Sequence, residues 1–343
     1  MKLSETHILG SPESASIATE ISDRLEIRHD IVFQDEFCDG ERRDRLNPEN
    51  IAGKNIIVVG STYGGDGGGY KRHQNIRTLM FGAEEYGAKS VSAVVPMMGY
   101  STMERAKDGE IPKGILFFRD IINQILGDGK AFFMGLHSEN IARGTDPEKW
   151  VNIKPYEVLG DIIKTKLEAQ NISHDLAVIV SPDAGYRASA KAIADRVGCG
   201  VFVAEKERSS KDQTKCLSDL SSLNGKVAII TDDMIRTGGT LKGIIDGSLA
   251  AGAIDVIILS PHLLLAGDAR EKLVGSSSVV GFNTNYLIPP NFAFSKLGNI
   301  NPQVELNNIS ESIRIRNEFN QKLQIYSCIP LFVEQMYKNL NLK

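Results

Sequence analysis

Tryptophan occurs once in 343 residues and cysteine four times. The cysteines, Cys38, Cys199, Cys216 and Cys328, have no Cys-x-x-Cys spacing, so neither a zinc site nor a disulfide framework is indicated and a reduced cytoplasm is the natural compartment. No apolar run approaches the roughly 18 residues a membrane helix needs. The opening MKLSETHILGSPES lacks a continuous apolar leader segment, and the expectation is a protein neither exported nor embedded. Charge of one sign is also scarce, since 39 Lys and Arg against 43 Asp and Glu leave a net of -4. That balance gives no electrostatic footprint for nucleic acid or for an anionic membrane, so an anionic ligand has to be held by a local site.

What is present is core material. Hydrophobic residues make up 42% and charged residues 24%, as in globular proteins, and the length suits two domains better than one core. Short β-branched runs recur: NIIVVGS (55–61), SVSAVVPMM (90–98), KAFFMGL (130–136), DLAVIVSP (175–182), KVAIITDD (226–233) and DVIILSPH (255–262). They are continuous rather than alternating, which predicts strands buried on both faces. Helical segments such as HQNIRTLMFGAEEYGA, YRASAKAIADRVGC and LKGIIDGSLAAGA lie between them, so the reading is α/β with parallel sheets flanked by helices. The pattern occurs twice, joined by a helix over KPYEVLGDIIKTKLEAQN (154–171). Residues 1–165 and 166–325 are the expected domains, with 326–343 packing back on the first. The Gly-rich STYGGDGGGYKRH (61–73) and the polar STMERAKDGEIPKG (101–114) each follow a strand, where ligands bind in such sheets. AEKERSSKDQTKCLSDLSSLNG (204–225) is long and polar enough to be a mobile lid.

The stretch TDDMIRTGGTL carries the sharpest chemistry. Asp232 and Asp233 leave a strand end, and Thr237, Gly238, Gly239 and Thr240 precede a helix. Glycines let backbone amides turn inward, and the helix N-terminus and threonine hydroxyls complete a cradle for a phosphate monoester. The two carboxylates offer acceptors for sugar hydroxyls, so a phosphorylated sugar satisfies both halves. The plain alternative is an acidic strand end followed by an ordinary glycine turn.

This stretch resembles the phosphoribosyl pyrophosphate loop of type I phosphoribosyltransferases and of ribose-phosphate diphosphokinases. Further segments resemble the diphosphokinase in the right order: FCDGE (37–41), SAVVPMMGY with its following loop (92–105), GLHS (135–138), VSPDAG (180–185), EKER (205–208) and FNTNYLIPP (282–290). The resemblance spans roughly residues 30 to 340. It implies two similar type I phosphoribosyltransferase-like domains and transfer of the diphosphoryl group of ATP to O1 of ribose 5-phosphate, with magnesium as cofactor. It further implies a homo-oligomer, commonly a hexamer. By the same resemblance Lys206 and Arg208 stabilise charge on the transferring group, and Asp232, Asp233, Arg236, Thr237, Gly238, Gly239 and Thr240 bind ribose 5-phosphate. Phe37, Asp39, Glu41, Thr102, Met103 and Arg105 fall at the ATP side, although Asp39-Gly40 read alone is a turn signal. His137 and Asp183 fall at magnesium-associated positions. Imidazole is a poor partner for magnesium, and Asp183 is equally suited to cap the next helix.

Several positions depart from the family pattern. Thr102 and Met103 stand where the family has an Arg-Gln pair, with Arg105 and Lys107 nearby as substitute charges. Arg236 replaces an acid, either gripping the sugar's phosphate or neutralising Asp232 or Asp233. Gly135 replaces a metal-associated acid, and Tyr186 the second glycine of the family's DAGG. An active diphosphokinase therefore competes with a non-catalytic, synthetase-like regulatory subunit, and with a phosphoribosyltransferase that uses the same loop.

Overall fold

In the computed structural model, which describes residues 1–32, 34–63, 68–204, 206–208, 214–216, 219–284 and 319–342, the apolar runs become the central strands of two parallel sheets. The first sheet is built from β1 (Thr6–Gly10), β2 (Arg28–Ile31), β5 (Asn55–Val59), β6 (Ser90–Val95), β7 (Ala131–Met134) and β8 (Trp150–Ile153), with a separate hairpin of β3 (Gln34–Glu36) and β4 (Arg42–Asp44). Its order is β2-β1-β5-β6-β7-β8, and every neighbouring pair is parallel. Three helices follow strands of this sheet: α1 (Ala15–Leu25), α2 (Gly69–Glu85) and α3 (Lys113–Ile122).

The second sheet repeats this plan. Its strands β9 (Ala177–Ser181), β10 (Gly200–Val203), β13 (Val227–Thr231), β15 (Asp255–Leu263), β16 (Ser278–Phe282) and β17 (Leu323–Tyr326) lie in the order β10-β9-β13-β15-β16-β17, again all parallel. In both sheets the second strand along the chain lies outside the first, and the third to sixth run the other way. That gives each sheet a switch point between its first and third strands, the place where open α/β sheets bind ligands. Two short elements complete the strands: the hairpin of β11 (Lys206–Arg208) with β12 (Thr214–Cys216), and β14 (Met234–Ile235), which pairs with β15. The helices are α4 (Tyr156–Ala169), α5 (Arg187–Val197), α6 (Gly239–Ala250), the short α7 (Ala269–Lys272), and finally α8 (Ile329–Leu340).

Each sheet has its own core. Ile56, Val58, Val91 and Phe133 of the first are buried with Leu79 and Met80 of α2 and Phe117 and Phe118 of α3. Ile230, Ile258 and Val279 of the second are buried with Leu241, Ile244 and Ile245 of α6. Each such side chain contributes about 1.5–3 kcal/mol on burial. The described residues fall into two compact units. One holds those of Met1–Lys154 and of Ser327–Lys343 together with Thr284, and the other those of Pro155–Asn283 and of the segment ending at Tyr326. The division at Lys154 precedes the boundary expected near 165, because α4 docks along its length on α5. A Cβ at Gly160 of α4 would lie 3.1 Å from the Ile193 carbonyl oxygen, and Asp161 holds the Arg196 guanidinium at 2.6 and 2.8 Å.

Candidate active site

The switch point of the second sheet gathers the acids. β9 and β13 are parallel neighbours, with Ile230 opposite Val180, so the segments leaving their carboxyl ends emerge side by side. After β9, Ser181 Oγ donates to the Asp183 carbonyl at 2.7 Å, and Asp183 Oδ1 accepts the Tyr186 amide at 3.2 Å. Asp183 thus caps the turn before α5, the alternative its residue type left open. After β13, the Asp232 amide donates to the Leu259 carbonyl at 3.2 Å, and Asp232 Oδ1 accepts the Asp233 amide at 2.9 Å. The chain then rejoins the sheet as β14, where the Ile235 carbonyl accepts amides of Leu264 and Leu265 at 2.9 and 3.1 Å. The acid loop is therefore held at both ends by the sheet.

Burial, then the neighbouring Asp233 carboxylate and that of Asp183, hold the Asp232 carboxyl well above the usual carboxylate range. A site that keeps acids this close favours hydroxyl donors or a cation beside them. Beyond β14, Arg236 and Thr237 are exposed, and Gly238 turns the backbone with φ of +68°, the left-handed region that favours glycine. α6 starts at Gly239, and no side chain caps its N-terminus, leaving first-turn amides and the helix dipole facing out beside Thr237 and Thr240, as a phosphate cradle requires. Asp183, Asp232, Asp233, Arg236, Thr237, Gly238, Gly239 and Thr240 are thus assembled at one end of one sheet.

The backbone of Lys206 and Arg208 forms β11 opposite Cys216 and Thr214, and β12 packs along α6. The side chains of Lys206 and Arg208, and most of the expected lid over 204–225, lie outside the described residues.

The first unit holds the remaining candidates. Phe37, Asp39 and Glu41 form the tip of the β3–β4 hairpin: the Phe37 amide donates to the Glu41 carbonyl at 2.7 Å, and Asp39 Oδ1 accepts the Glu41 amide at 3.0 Å. Gly40, with φ of +87°, makes the turn that Asp39-Gly40 signals. Phe37 is 48% exposed, and the Arg43 guanidinium lies over its ring at 5.0 Å from the centroid, an arrangement suited to stacking. Arg42 Nη1 donates to Asn75 Oδ1 at 3.1 Å, and Asn75 donates to Glu13 Oε1 at 2.9 Å, which ties the hairpin to the first turns of α2. Thr102, Met103 and Arg105 lie in the loop after β6. Thr102 is exposed, and Arg105 pairs with the buried Glu104 at 3.3 Å, so its charge is partly answered within the loop. His137 is exposed just past the end of β7, and Gly135 beside it has φ of +52°. His137 belongs to the first unit and Asp183 to the second. Among the described residues no group of three or more His, Cys, Asp or Glu side chains has the arrangement of a metal site.

Two features escape sequence reading. Ser11-Pro12-Glu13 follows β1, and Ser181-Pro182-Asp183 closes and leaves β9, a repeat visible only once the strands are matched by topology. Beneath the acid pair, the hydroxyls of Thr231 and Tyr186 are buried without partners. Only the lone polar residue at the end of an aliphatic run hints at Thr231.

Comparison with known proteins gives a consistent result. Residues 6–123 match the N-terminal domain of ribose phosphate pyrophosphokinase and residues 151–288 the phosphoribosyl transferase domain. A ribose-phosphate pyrophosphokinase of Helicobacter hepaticus is 29% identical over 76% of this chain and 80% of its own, and that of Aquifex aeolicus 28% over 84% and 90%. The crystal structure of phosphoribosylpyrophosphate synthetase from Mycobacterium smegmatis superposes with a TM-score of 0.75 at 20% identity, covering 98% of this chain and 99% of that one.

Proposed function

The chain belongs to the ribose-phosphate pyrophosphokinase family, and from that premise we propose that it transfers the diphosphoryl group of ATP to O1 of ribose 5-phosphate, giving phosphoribosyl pyrophosphate and AMP. The observation that carries this reading is the convergence of Asp183, Asp232 and Asp233 beside the uncapped α6 N-terminus at the switch point of the second sheet. In this reading the amides of Gly238–Thr240 and the dipole of α6 hold the sugar's 5-phosphate, and Arg236 grips it from the exposed side. Asp232 and Asp233 accept hydrogen bonds from the ribose hydroxyls, fixing O1 for in-line attack. Lys206 and Arg208 stabilise the charge that develops on the transferring group, since phosphoryl-type transfer rests on positioning and electrostatics. The first unit takes ATP, with Phe37 against the base and Asp39, Glu41, Thr102, Met103 and Arg105 around the nucleotide.

Oxygen donors suit magnesium, and the repulsion that raises Asp232 is the kind a cation relieves. Asp183 would hold the ion together with substrate phosphates, in place of a closed protein cage, as magnesium sites with one or two carboxylates do. When bound, magnesium neutralises charge on the nucleotide phosphates. His137 is a weaker donor for that ion and sits exposed in the first unit. A homo-oligomer in the cytoplasm is part of the same reading, and no described helix is long and apolar enough to cross a membrane.

A second reading, a non-catalytic subunit, draws on the ATP loop, where Thr102 and Met103 carry no charge and Arg105 is paired with Glu104. Purified protein given ATP, magnesium and ribose 5-phosphate is expected to release AMP. Release of ADP would refute diphosphoryl transfer. No turnover, with co-purification of a second synthetase, would favour the regulatory subunit.

A further inference from the structure

Tyr186 stands where the family pattern has a glycine, and its surroundings explain what the larger residue reaches. It follows the Asp183 turn at the end of β9, is 9% exposed, and packs edge-on against Tyr156 of α4 with ring centroids 6.2 Å apart. Its hydroxyl is buried without a hydrogen-bond partner. So is that of Thr231, a fully buried residue that ends β13 immediately before Asp232. Burial pushes the phenol above its ordinary range, the charges of Tyr156, Asp232 and Asp233 add to this, and the Thr231 hydroxyl is near enough to oppose it. The phenol therefore lies near the corner where β13 turns into the acid loop. The two hydroxyls approach each other there without closing a bond. An unpaired buried hydroxyl costs about 1–3 kcal/mol, and phenylalanine would fill the same volume without that cost.

We propose that Tyr186 is a positioning residue for the sugar-binding acid pair: when a phosphorylated sugar draws the Asp232–Asp233 loop onto its hydroxyls, the Tyr186 and Thr231 hydroxyls donate into the pair from beneath and fix both carboxylates toward the ligand. The inference rests on the reading of this loop as a ribose 5-phosphate site. Its chemistry is the matching of donors to acceptors. Each hydroxyl carries one donor, the carboxylates only accept, and hydrogen bonds to charged acceptors are about twice as strong as neutral ones. The hydroxyls left unpaired in the unliganded protein are then satisfied in the complex, so their contribution goes to binding rather than to folding.

Tyr186→Phe removes the donor and keeps the ring. Calorimetric titration of the full-length protein with ribose 5-phosphate should show about tenfold weaker binding, the factor one hydrogen bond supports. KM for the sugar should rise in step while kcat changes little, and the melting temperature should not fall. Thr231→Val approaches the same contact from the other strand, and in a double-mutant cycle the two losses should be non-additive; it also carries the test alone should Tyr186→Phe fail to fold. Unchanged sugar affinity in a folded Tyr186→Phe variant, or a fall in melting temperature with kcat and KM moving together, would overturn the proposal and make Tyr186 a packing residue. A parent protein that binds no ribose 5-phosphate would overturn the sugar-site reading itself, and this inference with it.

Discussion

Gly238 holds a left-handed φ of +68° immediately before α6. A β-branched side chain there costs on the order of 1–3 kcal/mol in backbone strain and tilts the first-turn amides. Gly238→Val is therefore expected to weaken ribose 5-phosphate binding by well over tenfold in calorimetry, and unaltered affinity in a folded variant would remove the phosphate from this turn. Arg236 is exposed beside the same turn. If it grips the phosphate, Arg236→Asp should also weaken sugar binding by repulsion, whereas tighter binding would assign the arginine to neutralising the acid pair. The acid pair and the glycine turn could be read from residue types, because their chemistry is local in sequence. So could the cap role of Asp183, whereas the hydroxyls under Asp232 could not, since they depend on β9 and β13 lying side by side.

Among the elements, the strands the sequence announces are those buried on both faces. β5, β6, β7 and β13 are buried throughout, so nothing interrupts their apolar runs. The edge strands β2, β8, β10 and β17 are only partly buried. Arg28-His29-Asp30 in β2 and Gln324 in β17 hide them from a search for apolar runs. The glycine-rich stretch after β5 reads as a site loop, but residues 64–67 lie outside the described residues, and the next element is α2, with Arg72 and His73 buried in its first turns. The β12 strand of the β11–β12 hairpin packs along α6, the helix whose N-terminus is the proposed cradle. If Lys206 meets the transferring group most closely in the transition state, as proposed, Lys206→Ala should lower kcat on the order of 10²-fold while KM changes far less. Steady-state kinetics with kcat intact and KM alone raised would make Lys206 a binding residue.

At the scale of the whole molecule, two sheets share one strand order while differing at their switch points. The second carries Asp232 and Asp233 after its third strand, and the first carries Ser61 and Thr62 there. The two halves also match two different family models, residues 6–123 one and 151–288 the other. Stability should respond to pH through buried histidines of the first unit. Burial holds His73 below its ordinary value of 6.5 despite Asp120 at 3.3 Å, and His7 is lowered the same way beside Asp30. A depressed histidine means the unfolded chain binds more protons near and below pH 6.5, so stability is full above that value and falls as pH drops through it. The melting temperature should drop between pH 7.5 and 5.5, and less so in His73→Gln; an equal drop would rule out His73 as a source. The most direct test of the proposed reaction follows phosphorus itself. With ATP, magnesium and ribose 5-phosphate, 31P NMR should show the β and γ phosphorus atoms of ATP recovered together as a diphosphate on the sugar, with AMP in equal amount. Formation of ADP with a single phosphoryl group on the sugar, or no consumption of ATP by protein that binds both substrates, would contradict it.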